Sequence, residues 1–100
     1  MMHIKAGVKL IGAKPELLVG LMIVRDVFMK YNTDLTLTAI TDGKHSIGSL
    51  HYAGYAADLR TRDIAKELII KIIEDSKISL GDEFDIIFES THIHLEWQPK

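Results

Sequence analysis

Two stretches of the chain carry apolar residues at helical spacing. Between Glu16 and Tyr31 the apolar positions recur as on a mostly buried helix, and Pro15 suits its first turn, where a missing N–H costs nothing. Asn32 is a residue type that often ends a helix. A second pattern follows Asp63, a good N-cap residue, and predicts a helix that continues to about Lys77.

Strands are predicted where apolar and polar residues alternate and β-branched residues are frequent. Residues 42–54 are rich in Gly and Ser and predict a long loop. The order of elements predicts a single α+β domain over residues 1–100, in which two main helices pack on a small central antiparallel sheet. The predicted strands are Asp34 to Thr41, Tyr55 to Thr61, Phe84 to Glu89 and His92 to Trp97, the last two joined by a tight Ser90-Thr91 connection.

Length and composition are those of one ordinary globular domain. The 100 residues are 47% hydrophobic and 26% charged, and the formal net charge is -2. This balance offers no basic excess for a phosphate backbone, so no nucleic acid partner is expected. The most apolar run, Leu17 to Met29, is interrupted by Arg25 and Asp26 and is too short to span a bilayer, so no membrane partner is expected either. The N-terminal residues lack the features of a signal peptide, and we expect synthesis in the cytoplasm.

The absence of cysteine restricts the chemistry available to the chain. A disulfide framework and a cysteine zinc site are excluded, so a transition metal has to be held by His, Asp or Glu. One histidine cluster lies on the last predicted strand, where alternate residues share a face and His92, His94 and Glu96 therefore point the same way. Two solvent-facing histidines on an edge strand would show the same pattern, and this alternative stays open.

A second cluster joins the predicted loop to the strand that follows it. His51 and Asp58 stand seven positions apart, with Gly54 and Ala56 between them to permit a special backbone angle and close packing. One Asp and two His are a reasonable zinc set, and three protein ligands leave a fourth position open, as in catalytic zinc sites. The alternative is a surface loop followed by an ordinary Asp at the start of a strand.

Together the two clusters form the pattern S-x-H-x-x-G-x-A-x-D over residues 49–58, followed by H-x-H over residues 92–94. This pattern resembles the zinc D-Ala-D-Ala carboxypeptidase-like peptidases, whose distant relatives include the hedgehog signalling domain. The resemblance spans roughly residues 14 to 98 and is to the small phage and prophage members. It implies a hedgehog/DD-peptidase-like α+β fold, one bound zinc ion and peptidoglycan stem peptides of the D-Ala-D-Ala type as substrates.

Carried over residue by residue, the resemblance implies a metallopeptidase site. His51, Asp58 and His94 match the zinc ligands, Glu89 matches the catalytic acid/base, and His92 matches a histidine near the metal-bound water. D,D-carboxypeptidase and L-Ala-D-Glu endopeptidase activities are both implied, for a protein that a phage would release to the cell wall as a lysin. The candidates for substrate contact are Ser49 of the motif, Arg60 by its charge and Tyr52 as a wall of the groove.

The chain departs from the family pattern at one position. Peptidase members usually carry an acidic residue three positions before the ligand histidine, whereas Thr91 stands three positions before His94. Glu89 stands three before His92, so either histidine is a candidate for the third ligand, and Glu96 stays an alternative to Glu89 as the base. The departure also keeps open a non-catalytic, zinc-binding phage structural or cell-wall interaction module.

Overall fold

The computed structural model describes residues 1–41 and 54–99. In this part of the chain, two helices and five strands form an α+β domain. Neither helix is long and apolar enough to cross a membrane. In chain order the elements are β1 (Met2–Ile4), α1 (Pro15–Lys30), β2 (Leu35–Thr41), β3 (Ala56–Arg60), α2 (Lys66–Leu80), β4 (Phe84–Phe88) and β5 (His92–Trp97).

The five strands form one mixed sheet in the order β1-β2-β3-β5-β4. All pairings are antiparallel except that of β1 with β2, which is parallel. The predicted α+β class with two helices is confirmed, and the central strands are antiparallel as expected, whereas the parallel edge strand β1 makes the whole sheet mixed. The sequence did not predict β1 because three residues are too few to show alternation.

One face of the sheet packs against both helices and forms the core. Inward residues of four strands alternate with residues that point to the opposite side, which we call the polar face. The polar face carries Asp58, Arg60, His92, His94 and Glu96. The buried core residues of the sheet are Leu35, Leu37, Ala57, Leu59, Ile86, Ile93 and Leu95, and those of the helices include Leu17, Leu21, Val24, Phe28, Ile69 and Ile72.

The second helix begins later and ends later than its sequence pattern predicts. Asp63 is not its N-cap, because the chain first makes a turn in which the N–H of Ile64 donates to the carbonyl of Thr61. Ala65 is the N-cap instead. The helix ends at Gly81, whose φ of +82° is the left-handed backbone conformation that glycine adopts most easily.

A polar tie joins the C-terminal end of α1 to α2. The hydroxyl of Tyr31 donates a hydrogen bond to Asp75 Oδ2, and Lys30 Nζ lies 3.1 Å from the same oxygen. These two donors, Tyr31 first, lower the pKa of Asp75. The hydrogen bond to Asp75 also raises the pKa of Tyr31.

We expect Tyr31→Phe to lower the melting temperature near neutral pH, because it removes the hydrogen bond to the Asp75 carboxylate. A carboxyl with a lowered pKa stabilises the fold above its ordinary pKa of 3.8, and this contribution is lost as the pH falls through the lower folded value. The pKa of Tyr31 is raised in the folded protein, so its hydrogen bond stabilises the fold fully below the ordinary pKa of 10.0. This stabilisation is lost as the pH rises through the higher folded pKa. The difference in melting temperature between the Tyr31→Phe protein and the parent protein should therefore become smaller at both extremes of pH.

Thermal unfolding followed by circular dichroism from pH 2 to pH 11 measures this difference. Asp26→Asn is the control, because Asp26 is an exposed acid on α1 that pairs only with its neighbour Arg25 among the residues described. A Tyr31→Phe protein that melts like the parent at every pH would contradict the role of the tie.

Candidate metal centre

The register of two central strands brings the candidate ligands together. In the antiparallel pairing of β3 with β5, Asp58 is directly opposite His94 and Arg60 is directly opposite His92. Directly opposed residues point to the same side of a sheet, so all four side chains lie on the polar face. β5 lies between β3 and β4 in the sheet, and the edge-strand interpretation of its histidines is therefore wrong.

Asp58, His92 and His94 form a compact group of potential ligands. Asp58 Oδ1 lies 3.1 Å from His94 Nδ1 and 3.6 Å from His92 Nε2. One ligand atom from each residue lies within 4.8 Å of the others. Two imidazole nitrogens and a carboxylate oxygen are a donor set that suits zinc and other divalent transition metals. These three residues fit a metal ion, and the expected metal-binding character of the site is supported to that extent.

Glu89 reaches the same group from the hairpin between β4 and β5. Its Oε1 lies 3.5 Å from His92 Nε2 and 3.8 Å from His94 Nδ1. The hairpin closes with the N–H of Glu89 donating to the carbonyl of His92 at 2.8 Å, and Ser90 in the turn has a φ of +58°. A two-residue turn with positive φ matches the twist of paired strands. The tight connection predicted at Ser90-Thr91 is therefore what aims Glu89 at the histidines.

His94 is held on both sides of its ring. Its Nδ1 faces Asp58, and its Nε2 lies 3.1 Å from Glu96 Oε1. The Glu96 side chain is fully buried, and Gln98 Nε2 donates to its other oxygen at 3.0 Å. Each ring nitrogen therefore faces a carboxylate that can accept a hydrogen bond, and a metal ion bound at Nδ1 would leave the Nε2–H to donate to Glu96.

His92 is more exposed than His94 and has a different support. Thr91 Oγ1 lies 2.9 Å from His92 Nδ1, which leaves Nε2 facing Asp58 and Glu89. The His92 side chain is 32% exposed, compared with 7% for His94. The two histidines thus differ in depth, with His94 at the base of the group and His92 at its rim.

An extra residue in β2 stands opposite Asp58. The register shifts between Leu37 and Ala39, which are paired with Leu59 and Asp58, so Thr38 is unpaired in the ladder. Thr38 Oγ1 donates to the backbone carbonyl of Asp58 at 3.1 Å. Bulges of this kind redirect side chains and are frequent beside functional sites. This bulge anchors the backbone of the candidate ligand on the side away from His94.

The motif glycine Gly54 makes a close chain contact at the start of β3. Its φ is +79°, and a Cβ at this position would overlap the carbonyl of Gly12. The N–H of Lys14 donates to the Gly54 carbonyl at 3.0 Å. The special backbone angle predicted for Gly54 is confirmed. The contact fixes the entry of the chain into the strand that carries Asp58.

The structure brings four of the predicted site residues, Asp58, Glu89, His92 and His94, close together. The predicted site residues Ser49, His51 and Tyr52 lie outside the described residues. Arg60 lies on the polar face beside His92. It is part of the lining of a neighbouring pocket and does not belong to the group of potential ligands.

Sequence reasoning did not identify the contacts of Gln98, Thr91 and Thr38. The alternation of His92, His94 and Glu96 continues by one more step to Gln98, so strand periodicity was a signal for that residue. The other two contacts depend on a turn and a bulge. Neither the turn nor the bulge changes the pattern of apolar and polar residues along the chain.

Comparison with known proteins adds no family assignment. A scan against protein-family models finds no match, and a search of curated proteins finds none either. What can be stated of the site therefore rests on its residues and their geometry.

We expect Glu96→Ala to weaken zinc binding by about 10- to 100-fold, because partners that orient a ligand histidine typically contribute that much to metal affinity. Glu96→Gln should recover part of the loss, since its amide oxygen still accepts the hydrogen bond from His94 Nε2. Titration with zinc against a competing chelator measures the affinity, and circular dichroism checks the fold. Exposed Glu67 on α2 provides the control Glu67→Ala. Unchanged zinc affinity in a folded Glu96→Ala protein would show that Glu96 does not position His94.

Proposed function

We propose that this protein is a zinc-dependent peptidase that acts on peptidoglycan stem peptides. The observation that carries the proposal is the position of the Glu89 carboxylate, 3.5 Å and 3.8 Å from the nitrogens of two histidines that flank Asp58. A carboxylate beside a group of potential metal ligands is the arrangement that metallopeptidase chemistry requires. The α+β architecture also agrees with the hedgehog/DD-peptidase-like fold implied by the sequence motif.

The proposed zinc site comprises His51 from the motif together with Asp58 and His94. His92 is the alternative third ligand, because its Nε2 also faces Asp58. A bound zinc ion would supply Lewis acidity, which polarises a peptide carbonyl and makes water a stronger acid. The choice of zinc rests on the donor set and on the resemblance.

Glu89 is proposed as the general base. Its side chain is 34% exposed at the rim of the group, where a water molecule and a substrate can approach it. Glu96, the alternative base, is fully buried and already binds His94 and Gln98. These contacts support a positioning role for Glu96. In the proposed reaction, Glu89 accepts a proton from the attacking water and returns it to the leaving amine.

His92 is proposed to stabilise negative charge that develops on the carbonyl oxygen. Its Nε2 faces the group, while Thr91 holds the opposite ring nitrogen. A positioned N–H donor at such an oxygen contributes strongly in a partly buried site. If His92 is instead a metal ligand, this role falls to another donor.

A second candidate function is a non-catalytic zinc-binding module that docks on the cell wall or in a phage particle. The observation in its favour is Thr91, which occupies the position three residues before His94 where peptidase members carry an acid. Thr91 also has a structural role, because its hydrogen bond to His92 Nδ1 orients the imidazole ring. Release to the cell wall as a phage lysin belongs to the first candidate and is proposed only with it.

Incubation of the zinc-loaded protein with a purified muropeptide mixture, followed by mass spectrometry, separates the two candidates. We expect peptide-bond cleavage, and we expect Glu89→Gln to reduce its rate by about 100- to 10,000-fold because it removes the general base. Glu89→Gln should retain stoichiometric zinc by elemental analysis, which distinguishes a lost base from a lost metal.

Glu67→Gln on α2 is the matched control and should keep full activity. A protein that binds one zinc ion and leaves every muropeptide intact would refute the peptidase proposal and favour the interaction module. Cleavage that survives Glu89→Gln would refute the role of Glu89 alone.

A further inference from the structure

A row of polar residues crosses the sheet from β1 to β5, next to the candidate metal centre. His3 is paired with Thr36, and Arg60 is paired with His92. Leu37 of β2 is paired with Leu59 of β3, so the next residues along these antiparallel strands, Thr36 and Arg60, are neighbours. All four polar residues alternate with core-facing residues and so share the polar face. The row therefore runs from His92, at the rim of the candidate metal centre, through Arg60 and Thr36 to His3.

This row opens into a pocket of about 360 Å³ at the end of the sheet. His3, Thr36 and Arg60 form part of its lining, and the turn from α1 into β2 and the connection from β3 to α2 complete it. The pocket volume is within the range of small-ligand sites. The pocket therefore has room for a small part of a peptide, and it lies one strand away from His92.

Arg60 is the cation of this pocket that lacks an acidic partner within residues 1–41 and 54–99. Asp34 in the lining is engaged by the Met1 amino group and by His3, both at 3.3 Å. The hydrogen bond from the Met1 amino group, followed by that from His3, lowers the pKa of Asp34 and keeps it ionised in this pairing. Asp63 lies 3.8 Å from the exposed side chain of Arg62. The half-buried guanidinium of Arg60 is left with its donors unused by these carboxylates.

We propose that Arg60 binds a carboxylate of the peptide substrate in this pocket. The inference rests on the proposed peptidase function and names the substrate class, peptides with a free carboxylate close to the bond held at the metal centre. A guanidinium matches a carboxylate with two parallel hydrogen bonds, and Arg is the residue best suited to that contact.

The spacing along the strand limits how far the carboxylate lies from the metal centre. Arg60 is two residues beyond Asp58, which is about 6.7 Å along a strand. One extended residue of a peptide spans about 3.5 Å. A carboxylate one or two residues from the bond at the metal centre is therefore within reach of Arg60. Peptides that are amidated at this carboxylate would lose the contact.

Calorimetric titration tests the proposal without relying on turnover. The protein carries Glu89→Gln in every arm so that bound peptide is not cleaved, and zinc is supplied throughout. The probes are acetyl-D-Ala-D-Ala, its C-terminal amide, and L-Ala-D-Glu amide, which keeps only a side-chain carboxylate. We expect a carboxylate-bearing probe to bind about 10- to 100-fold more tightly than the fully amidated one, as for a hydrogen-bonded charge pair.

Adding Arg60→Gln should abolish this preference, whereas Arg62→Gln, a matched change at an exposed arginine, should preserve it. Which acidic probe binds more tightly identifies the carboxylate as C-terminal or side-chain. The proposal is overturned if acid and amide bind equally, including no detectable binding of either, or if the preference survives Arg60→Gln. Carboxylate-selective binding by a protein that never cleaves muropeptides would instead refute the peptidase function and leave the assignment of Arg60 intact.

Discussion

The antiparallel pairing of β3 with β5 is the constraint on which the rest of the site depends. It sets Asp58 opposite His94 and Arg60 opposite His92. A shift of one residue would turn every one of these side chains toward the helices. Burial of the intervening apolar residues prevents that shift, because Leu59, Ile93 and Leu95 would then have to leave the core. The same apolar contacts that stabilise the fold therefore hold the polar group in register.

The polar face changes in character along β5. Glu96 is fully buried with His94 and Gln98 as partners, and these hydrogen bonds offset the cost of removing its carboxylate from water. His92 at the other end of the strand is a third exposed. This change in exposure along β5 divides the side chains into two groups. Buried groups orient His94, and the more exposed groups are available to a substrate.

Two independent features converge on the proposed function. The sequence motif selects Asp58 and His94 by spacing and resemblance, and the sheet register places them 3.1 Å apart although they are 36 positions apart in the chain. Beyond His92, the polar row passes to Arg60 and an adjoining pocket. A group of potential metal ligands, a carboxylate at its rim and a neighbouring cation occupy one surface. The proposed binding and hydrolysis of a peptide with a free carboxylate would draw on all three.

The two helices, four of the strands and the residue types of the candidate metal centre could be predicted from the sequence, because burial periodicity and ligand chemistry are local properties. The sequence pattern correctly placed His92, His94 and Glu96 on one side of their strand. Three features required the three-dimensional fold: β5 is an internal strand, Glu96 is buried behind His94, and the short strand β1 joins the sheet. The position of Arg60 in the lining of a pocket beside His92 likewise follows from the fold. Strand order and depth depend on contacts between residues far apart in the chain, and alternation along one strand is the same whether that strand lies inside a sheet or at its edge.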